Sequence, residues 1–268
     1  MGDSQKPDLR VTLIQSDIYW ENVDANLGMF EEKIWQIERK TDLIVLPEMF
    51  TTGFTMSPQS LAEPMKVKTF RWMAQQASQT GATVIGSYII KEDGKYFNRL
   101  MVVHADGSFQ YYDKKHLFGL AGEDQNFAAG VDRLIVEVKG WKIFPLICYD
   151  LRFPVWARSQ KTETRLFEYD VILFVANWPK QRIHSWDTLL AARGIENLSY
   201  SIGVNRIGTD GVNAQYSGHS SVYSYLGERL AYSEKEEILQ VELGARRLEV
   251  FRSKFPFQKD ADGFEIVE

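Results

Sequence analysis

The 268-residue chain is 44% hydrophobic and 13% aromatic and carries a net charge of −5. It is long and apolar enough to bury a large core, which excludes a disordered chain, and the mild charge without long single-sign blocks excludes nucleic acid and anionic membranes as partners. One cysteine excludes an internal disulfide framework, no Cys and His spacing matches a zinc site, and no apolar run approaches the ~20 residues of a membrane span; the expectation is a cytoplasmic protein acting on a small molecule.

Leu9 to Gln15 predicts a first strand, and Leu27, Phe30, Ile34 and Ile37 give residues 24–39 a helical stripe. Leu43 to Pro47 is a continuous apolar run, the pattern of a strand buried on both faces, with Glu48 just past its end. Pro64 is read as opening a second helix, with Phe70, Met73 and Ala77 on one stripe and an end near Gly81, before a strand over 83–90. Asp106-Gly107 between two β-rich runs predicts an antiparallel hairpin within 97–112, and Lys139-Gly140 plays the same part between 134–138 and 141–147. Further strands are expected over 171–175, 200–205, 221–225 and 238–243, with a helix over 182–197. This alternation predicts a layered α/β architecture in one domain spanning residues 1–268.

The apolar run Ile143 to Ile147 delivers Cys148 to a turn, and Phe153-Pro154 then opens a helix. Backbone N–H groups and a helix dipole at such a turn favour a thiolate, so Cys148 is a candidate nucleophile; the competing reading is a small buried hydrophobe. Glu48, Lys114-Lys115-His116, Glu123 and Cys148 all follow predicted strands or sit in the loops between them, where ligands gather in α/β folds. A cysteine hydrolase needs a proton acceptor, an oxyanion donor and a proton source for the leaving group, which Glu48 and Lys114 can supply.

The blocks Leu46-Pro47-Glu48 with Gly53-Phe54, Tyr112 to Phe118, Glu123 to Gly130, Cys148 to Pro154, Asn177-Trp178-Pro179 and Ala192 to Asn197 stand in the order found in the carbon-nitrogen hydrolase (nitrilase) superfamily, which the sequence resembles over about residues 9–245. Met49 to Phe54, Phe118, residues 128–130 and Asn177-Trp178-Pro179 resemble its omega-amidase branch, which hydrolyses the terminal amide of 2-oxoglutaramate and 2-oxosuccinamate. Gly194 stands where that resemblance leads one to expect alanine. The resemblance implies a four-layer α-β-β-α sandwich, a homodimer or larger assembly, and a Glu-Lys-Cys triad that needs neither metal nor cofactor. It implies attack by Cys148, an oxyanion held by Lys114 and the Tyr149 N–H, proton transfer by Glu48, and Glu123 positioning Lys114. Lys115 is expected to be solvated and His116 structural.

Arg152 has two readings, binding a substrate carboxylate or bracing the turn against Asp150 or another acid, with Arg193 and Arg206 as further cations. Phe50, Phe54 and Trp178 are expected either to line a pocket or to be plain core. The aromatic tail from about residue 245, with Phe251, Phe255, Phe257 and Phe264, would cover the protein's own surface or a second subunit. Other activities of the superfamily (nitrilase, carbamoylase, aliphatic amidase) remain alternatives. A non-catalytic binding or scaffold member is disfavoured because every chemical position is filled.

Overall fold

The structure is a computed structural model and describes residues 6–266, so the extreme ends of the expected 1–268 unit lie outside the described residues. The first half of the chain runs β1 (Leu9–Gln15), α1 (Val23–Trp35), β2 (Leu43–Val45), α2 (Pro58–Leu61), α3 (Lys68–Thr80), β3 (Thr83–Glu92), β4 (Lys95–Val103), β5 (Phe109–Asp113) and the one-turn α4 (Glu123–Asn126). There follow β6 (Val136–Val138), β7 (Trp141–Ile147), α5 (Pro154–Ala157), β8 (Val171–Val175), α6 (Ile183–Asn197) and β9 (Tyr200–Val204). The chain closes with β10 (Ile207–Thr209), β11 (Gln215–Ser217), β12 (Ser220–Tyr223), β13 (Arg229–Ser233), β14 (Glu237–Leu243) and α7 (Ala245–Lys254).

Twelve of these strands build two six-stranded sheets, ordered β14-β1-β2-β3-β4-β5 and β13-β12-β9-β8-β7-β6. In each, three parallel strands are flanked by antiparallel ones: β1-β2-β3 in the first, β7-β8-β9 in the second. Side chains alternate across a strand, and here both faces are apolar. Val11, Leu13, Val45 and Ile85 of the first sheet share a core with Ile143, Leu146 and Leu173 of the second, while Ile14, Ile44 and Val84 face Phe30, Ile34 and Met73 of α1 and α3. Trp186 and Leu190 of α6 cover the outer side of the second sheet. The layers are therefore α, β, β, α. Among the described residues no helix is long and apolar enough to cross a membrane.

Local chemistry sets several boundaries. Pro145 is tolerated in β7 because β6 ends its pairing at Ile143, beyond which that side of the strand is an edge. Helix α3 begins at Lys68, four residues after Pro64, because Glu63 pairs with Ile90 and its carboxylate accepts the Thr69 N–H (2.8 Å), which holds the intervening residues out of the helix. Helix α1 ends at Trp35, and Ile37 packs on the core from beyond it. Gly194 is explained by close packing: a Cβ there would lie 3.0 Å from the Ser224 carbonyl oxygen and 3.2 Å from that of Ser199.

The C-terminal segment covers its own chain. Arg252 of α7 donates to the Leu198 and Tyr169 carbonyls and to Asp170, each at 2.8 Å, and Phe251 stacks on Tyr225 at 4.5 Å. Burial by itself disfavours the Asp170 charge, but Arg252 and Lys6 outweigh it and hold the carboxyl below its ordinary range. Arg252→Ala strands much of that buried charge, so urea unfolding should show a loss of about 3 kcal/mol.

Candidate active site

Three strand ends meet at one point, two from the first sheet and one from the second. Glu48 follows β2, Lys114 follows β5, and Cys148 follows β7. The residue after Glu48 and the cysteine itself both have left-handed backbones, Met49 at φ 42° and Cys148 at φ 43°, a conformation that costs a non-glycine residue roughly 1–3 kcal/mol. Each turns the chain sharply away from its strand. Ser87 holds the first turn, its Oγ accepting the Met49 N–H at 2.9 Å and its carbonyl the Phe50 N–H at 3.0 Å.

Lys114 is fully buried and its ammonium donates to Glu48 Oε1 (2.9 Å) and to both oxygens of Glu123 (3.0 and 2.9 Å). Glu123 opens α4 and also accepts the Phe118 N–H at 2.6 Å. Asn98 of β4 donates to Glu48 Oε1 at 2.9 Å and reaches Glu123 at 3.4 Å, tying the two carboxylates together. The remaining oxygen of Glu48 accepts the backbone N–H of Asn177 (2.8 Å), and the Asn177 side-chain amide donates to the Glu48 carbonyl. Gly130 closes the loop over Lys114, donating to its carbonyl at 2.9 Å; a Cβ there would stand 2.2 Å from the Asp113 carbonyl oxygen, so the approach needs glycine.

Of these groups Glu48, Lys114 and Asn177 line a cavity of about 500 Å3, with Cys148 beside them. Phe54, Tyr149 and Trp178 line its wall, Arg152 and Arg182 add guanidinium groups, and Asp210 and Tyr216 of the β10-β11 region close another side. Among the described residues no three His, Cys, Asp or Glu side chains group to hold a metal ion.

A model of the carbon-nitrogen hydrolase family matches residues 10–252. The chain belongs to the carbon-nitrogen hydrolase family. It is 42% identical to an omega-amidase, YafV, of Yersinia enterocolitica over 97% of this chain and 99% of that protein. It is 30% identical to a 2-oxoglutaramate amidase of Bacillus subtilis over 93% of this chain and 96% of the relative. The crystal structure of XC1258 from Xanthomonas campestris, a CN-hydrolase superfamily protein with an arsenic adduct in its active site, superimposes with a TM-score of 0.95 at 40% identity, covering 97% of this chain and all of that one. This carbon-nitrogen hydrolase therefore has the four-layer architecture that the sequence resemblance implied.

Of the residues singled out from sequence, Glu48, Lys114, Glu123 and Cys148 come together, and Phe54, Tyr149, Arg152 and Trp178 line the cavity above them. Phe50 does not: it is fully buried among Phe30, Trp72 and Tyr88. Arg193 bonds the Leu151 carbonyl and Glu196, and Arg206 bonds Asp17 and the Ile18 carbonyl, so neither is among the cavity-lining side chains. Arg152 does not brace Asp150, whose oxygens are taken by Tyr112, His116 and the Ile147 N–H; it reaches Ser185 Oγ at 3.1 Å and lies over the Trp178 ring. His116 is stacked on Phe153 at 3.7 Å, and Lys115, expected in solvent, is half-buried with its ammonium 5.4 Å from the Trp156 ring. Asn98, Asn177 and Arg182 were missed as individual contributors. Asn98 carried one signal, an amide in the middle of a strand that the structure buries completely.

The thiol also departs from the expectation. A single 3-10 turn, Cys148–Arg152, and the four-residue α5 stand at the end of β7 in place of an extended helix, so little dipole accumulates. Burial, then the Glu48 charge, push the Cys148 thiol well above its ordinary pKa, and Lys114 opposes them only in part. These surroundings favour the thiol over the thiolate. Burial lowers the Lys114 pKa, but Glu123 and Glu48 outweigh it and hold the ammonium charged; burial also raises Glu123, with Lys114 opposing. Removing the Glu48 charge therefore favours the thiolate. In Glu48→Gln the pH midpoint for alkylation of Cys148 by iodoacetamide should move down relative to wild type, read from labelling rates across pH 6–10.

Proposed function

We propose that this carbon-nitrogen hydrolase is an omega-amidase, cleaving the terminal amide of a small 2-oxo-dicarboxylic acid monoamide such as 2-oxoglutaramate or 2-oxosuccinamate to the acid and ammonia. The observation that carries the reading is the polarity of the cavity. Glu48 and Lys114 pair beside Cys148 in its lining, Glu21 and Asp210 also face it, and Arg152 and Arg182 stand there with no carboxylate at ion-pair distance among the described residues. An anionic substrate is repelled by Glu48, Glu21 and Asp210 and attracted to the two guanidinium groups, which turns its carboxylate toward the arginines and its amide toward Cys148. The near-full-length identity to proteins named as omega-amidase and 2-oxoglutaramate amidase supports the same substrate class.

The chemistry follows from the geometry. Glu48 takes the Cys148 proton as sulfur bonds to the amide carbon, and the oxygen that gains charge is met by Lys114 and the Tyr149 N–H. All three ammonium hydrogens are already engaged with Glu48 and Glu123, so the oxyanion enters by displacing part of the Glu123 contact. As the C–N bond breaks, Glu48 passes its proton to nitrogen and ammonia leaves. A water molecule then gives a proton to Glu48 and attacks the thioester; as the C–S bond breaks Glu48 returns that proton to sulfur and the thiol is restored. One carboxyl thus serves as base and acid in each half of the reaction. Neither a metal nor an organic cofactor enters any of these steps.

The proposed assembly is a cytoplasmic homodimer acting as one domain per chain. Its support is the free thiol and the apolar side chains Val250 and Phe257 left exposed on the C-terminal segment, and light scattering at micromolar concentration should give the mass of two chains.

Purified protein should release ammonia from 2-oxoglutaramate, and Cys148→Ala should abolish this without unfolding. Glu48→Gln should lower kcat about 10²–10⁴-fold. Arg152→Lys should raise KM for 2-oxoglutaramate while leaving a neutral primary amide unaffected, because an ammonium cannot reproduce the guanidinium fork. Equal losses on both substrates would remove Arg152 from carboxylate recognition.

A further inference from the structure

Asp150 is fully buried, two residues past the nucleophile, and takes no part in the chemistry described above. Its carboxylate accepts four hydrogen bonds. Oδ1 takes the His116 backbone N–H (3.0 Å) and lies 2.7 Å from the His116 Nδ1; Oδ2 takes the Tyr112 hydroxyl (2.8 Å) and the Ile147 N–H (3.0 Å). Tyr112 and His116 stand two residues before and two residues after Lys114, and Ile147 immediately precedes Cys148. The first pair belongs to the end of the first sheet, the second to the end of a strand in the other. Tyr112 is itself held from both sides, accepting the Trp156 Nε1–H (3.1 Å) and the Lys115 N–H (3.2 Å).

We infer that Asp150 is a positioning residue that sets the distance and orientation between the Cys148 sulfur and the Lys114 ammonium. The inference rests on the assignment of those two groups as the reacting ones. Cys148 keeps its left-handed backbone in a turn whose preceding N–H is fixed by Asp150, and the same carboxylate fixes the chain on both sides of Lys114. Both oxygens must be acceptors. Each faces one backbone N–H that cannot change its role, Ile147 on one side and His116 on the other, so an asparagine in either orientation sets its NH2 against a donor and releases one of the two segments. The link is therefore specific to a carboxylate, with no neutral isostere.

The test is Asp150→Asn in the full-length protein, with intact sites counted by stoichiometric alkylation of the single thiol. The kcat per counted site for 2-oxoglutaramate should fall about 100-fold with KM within about threefold, since a misplacement of roughly 1 Å in the reacting groups has an effect of that size. Tyr112→Phe removes one bond of the four and leaves both backbone links in place; it keeps the test alive if Asp150→Asn does not fold, and its kcat per site should fall about tenfold. A purely structural role would lower the melting temperature and the fraction of intact sites but leave kcat per site unchanged. Wild-type kcat per site in Tyr112→Phe and in any folded Asp150→Asn overturns the inference, as does a loss confined to KM. Cys148→Ala, assayed alongside, separates the two levels: turnover by that variant overturns the assignment of the nucleophile, whereas an inactive Cys148→Ala beside a fully active Asp150→Asn overturns only the positioning role.

Discussion

The hydrogen bond between Glu48 and the Asn177 backbone joins the end of a strand in one sheet to the end of a strand in the other, and the site depends on it. The proposed base and the proposed nucleophile belong to different sheets, 100 residues apart in the chain, so their meeting is a property of sheet stacking rather than of any local motif. A buried hydrogen bond to a charged group is worth about 1.5–3 kcal/mol, and this one is doubled by the Asn177 side chain returning to the Glu48 carbonyl. The core between the sheets supplies the bulk of the cohesion. Polar links such as this one, and that of Gln15 to the Ser220 N–H at 2.8 Å, add the register that apolar packing leaves free.

Burial then fixes the electrostatics. An ammonium removed from water is stable only with partners, and Lys114 has two carboxylates within 3.0 Å. Burial first, and then the Glu48 charge, favour the protonated form of the neighbouring thiol, with Lys114 opposing in part. The arrangement places the proposed nucleophile as a thiol beside the proposed base, so the proposed mechanism couples attack to proton transfer. It also gives the cavity's Arg152 and Arg182 a purpose: a net charge of −5 and the lining carboxylates Glu21, Glu48 and Asp210 would otherwise reject the acids proposed as substrates.

Much of this was legible in the sequence because strands announce their own ends. The apolar runs before Pro47 and before Cys148 marked where Glu48 and the thiol emerge, and the ordered blocks around Lys114 and Glu123 pointed to the same family as the comparisons. What crosses between sheets was hidden. Nothing near Asp150 says that its partners are Tyr112 and His116, so a brace between Arg152 and Asp150 stood open beside the substrate-binding reading of that arginine. The thiol's protonation was misjudged because Phe153-Pro154 promised a helix that ends after one turn, and because burial, which a linear pattern does not display, outweighs the dipole. Helix α3 was begun too early because a proline that can open a helix can also precede one by several residues. The β10-β11 hairpin and β13, with few apolar residues each, gave no periodic signal strong enough to place them.

The central claim, that Cys148 is acylated by the amide substrate, is tested most directly by catching the intermediate. Protein mixed with 2-oxoglutaramate, quenched in acid within one turnover and digested should yield the peptide containing Cys148 with the mass of the substrate acyl group added, and the adduct should be absent from Cys148→Ala. An unmodified Cys148 peptide during steady turnover, or an acyl group carried by any other side chain, would contradict the account.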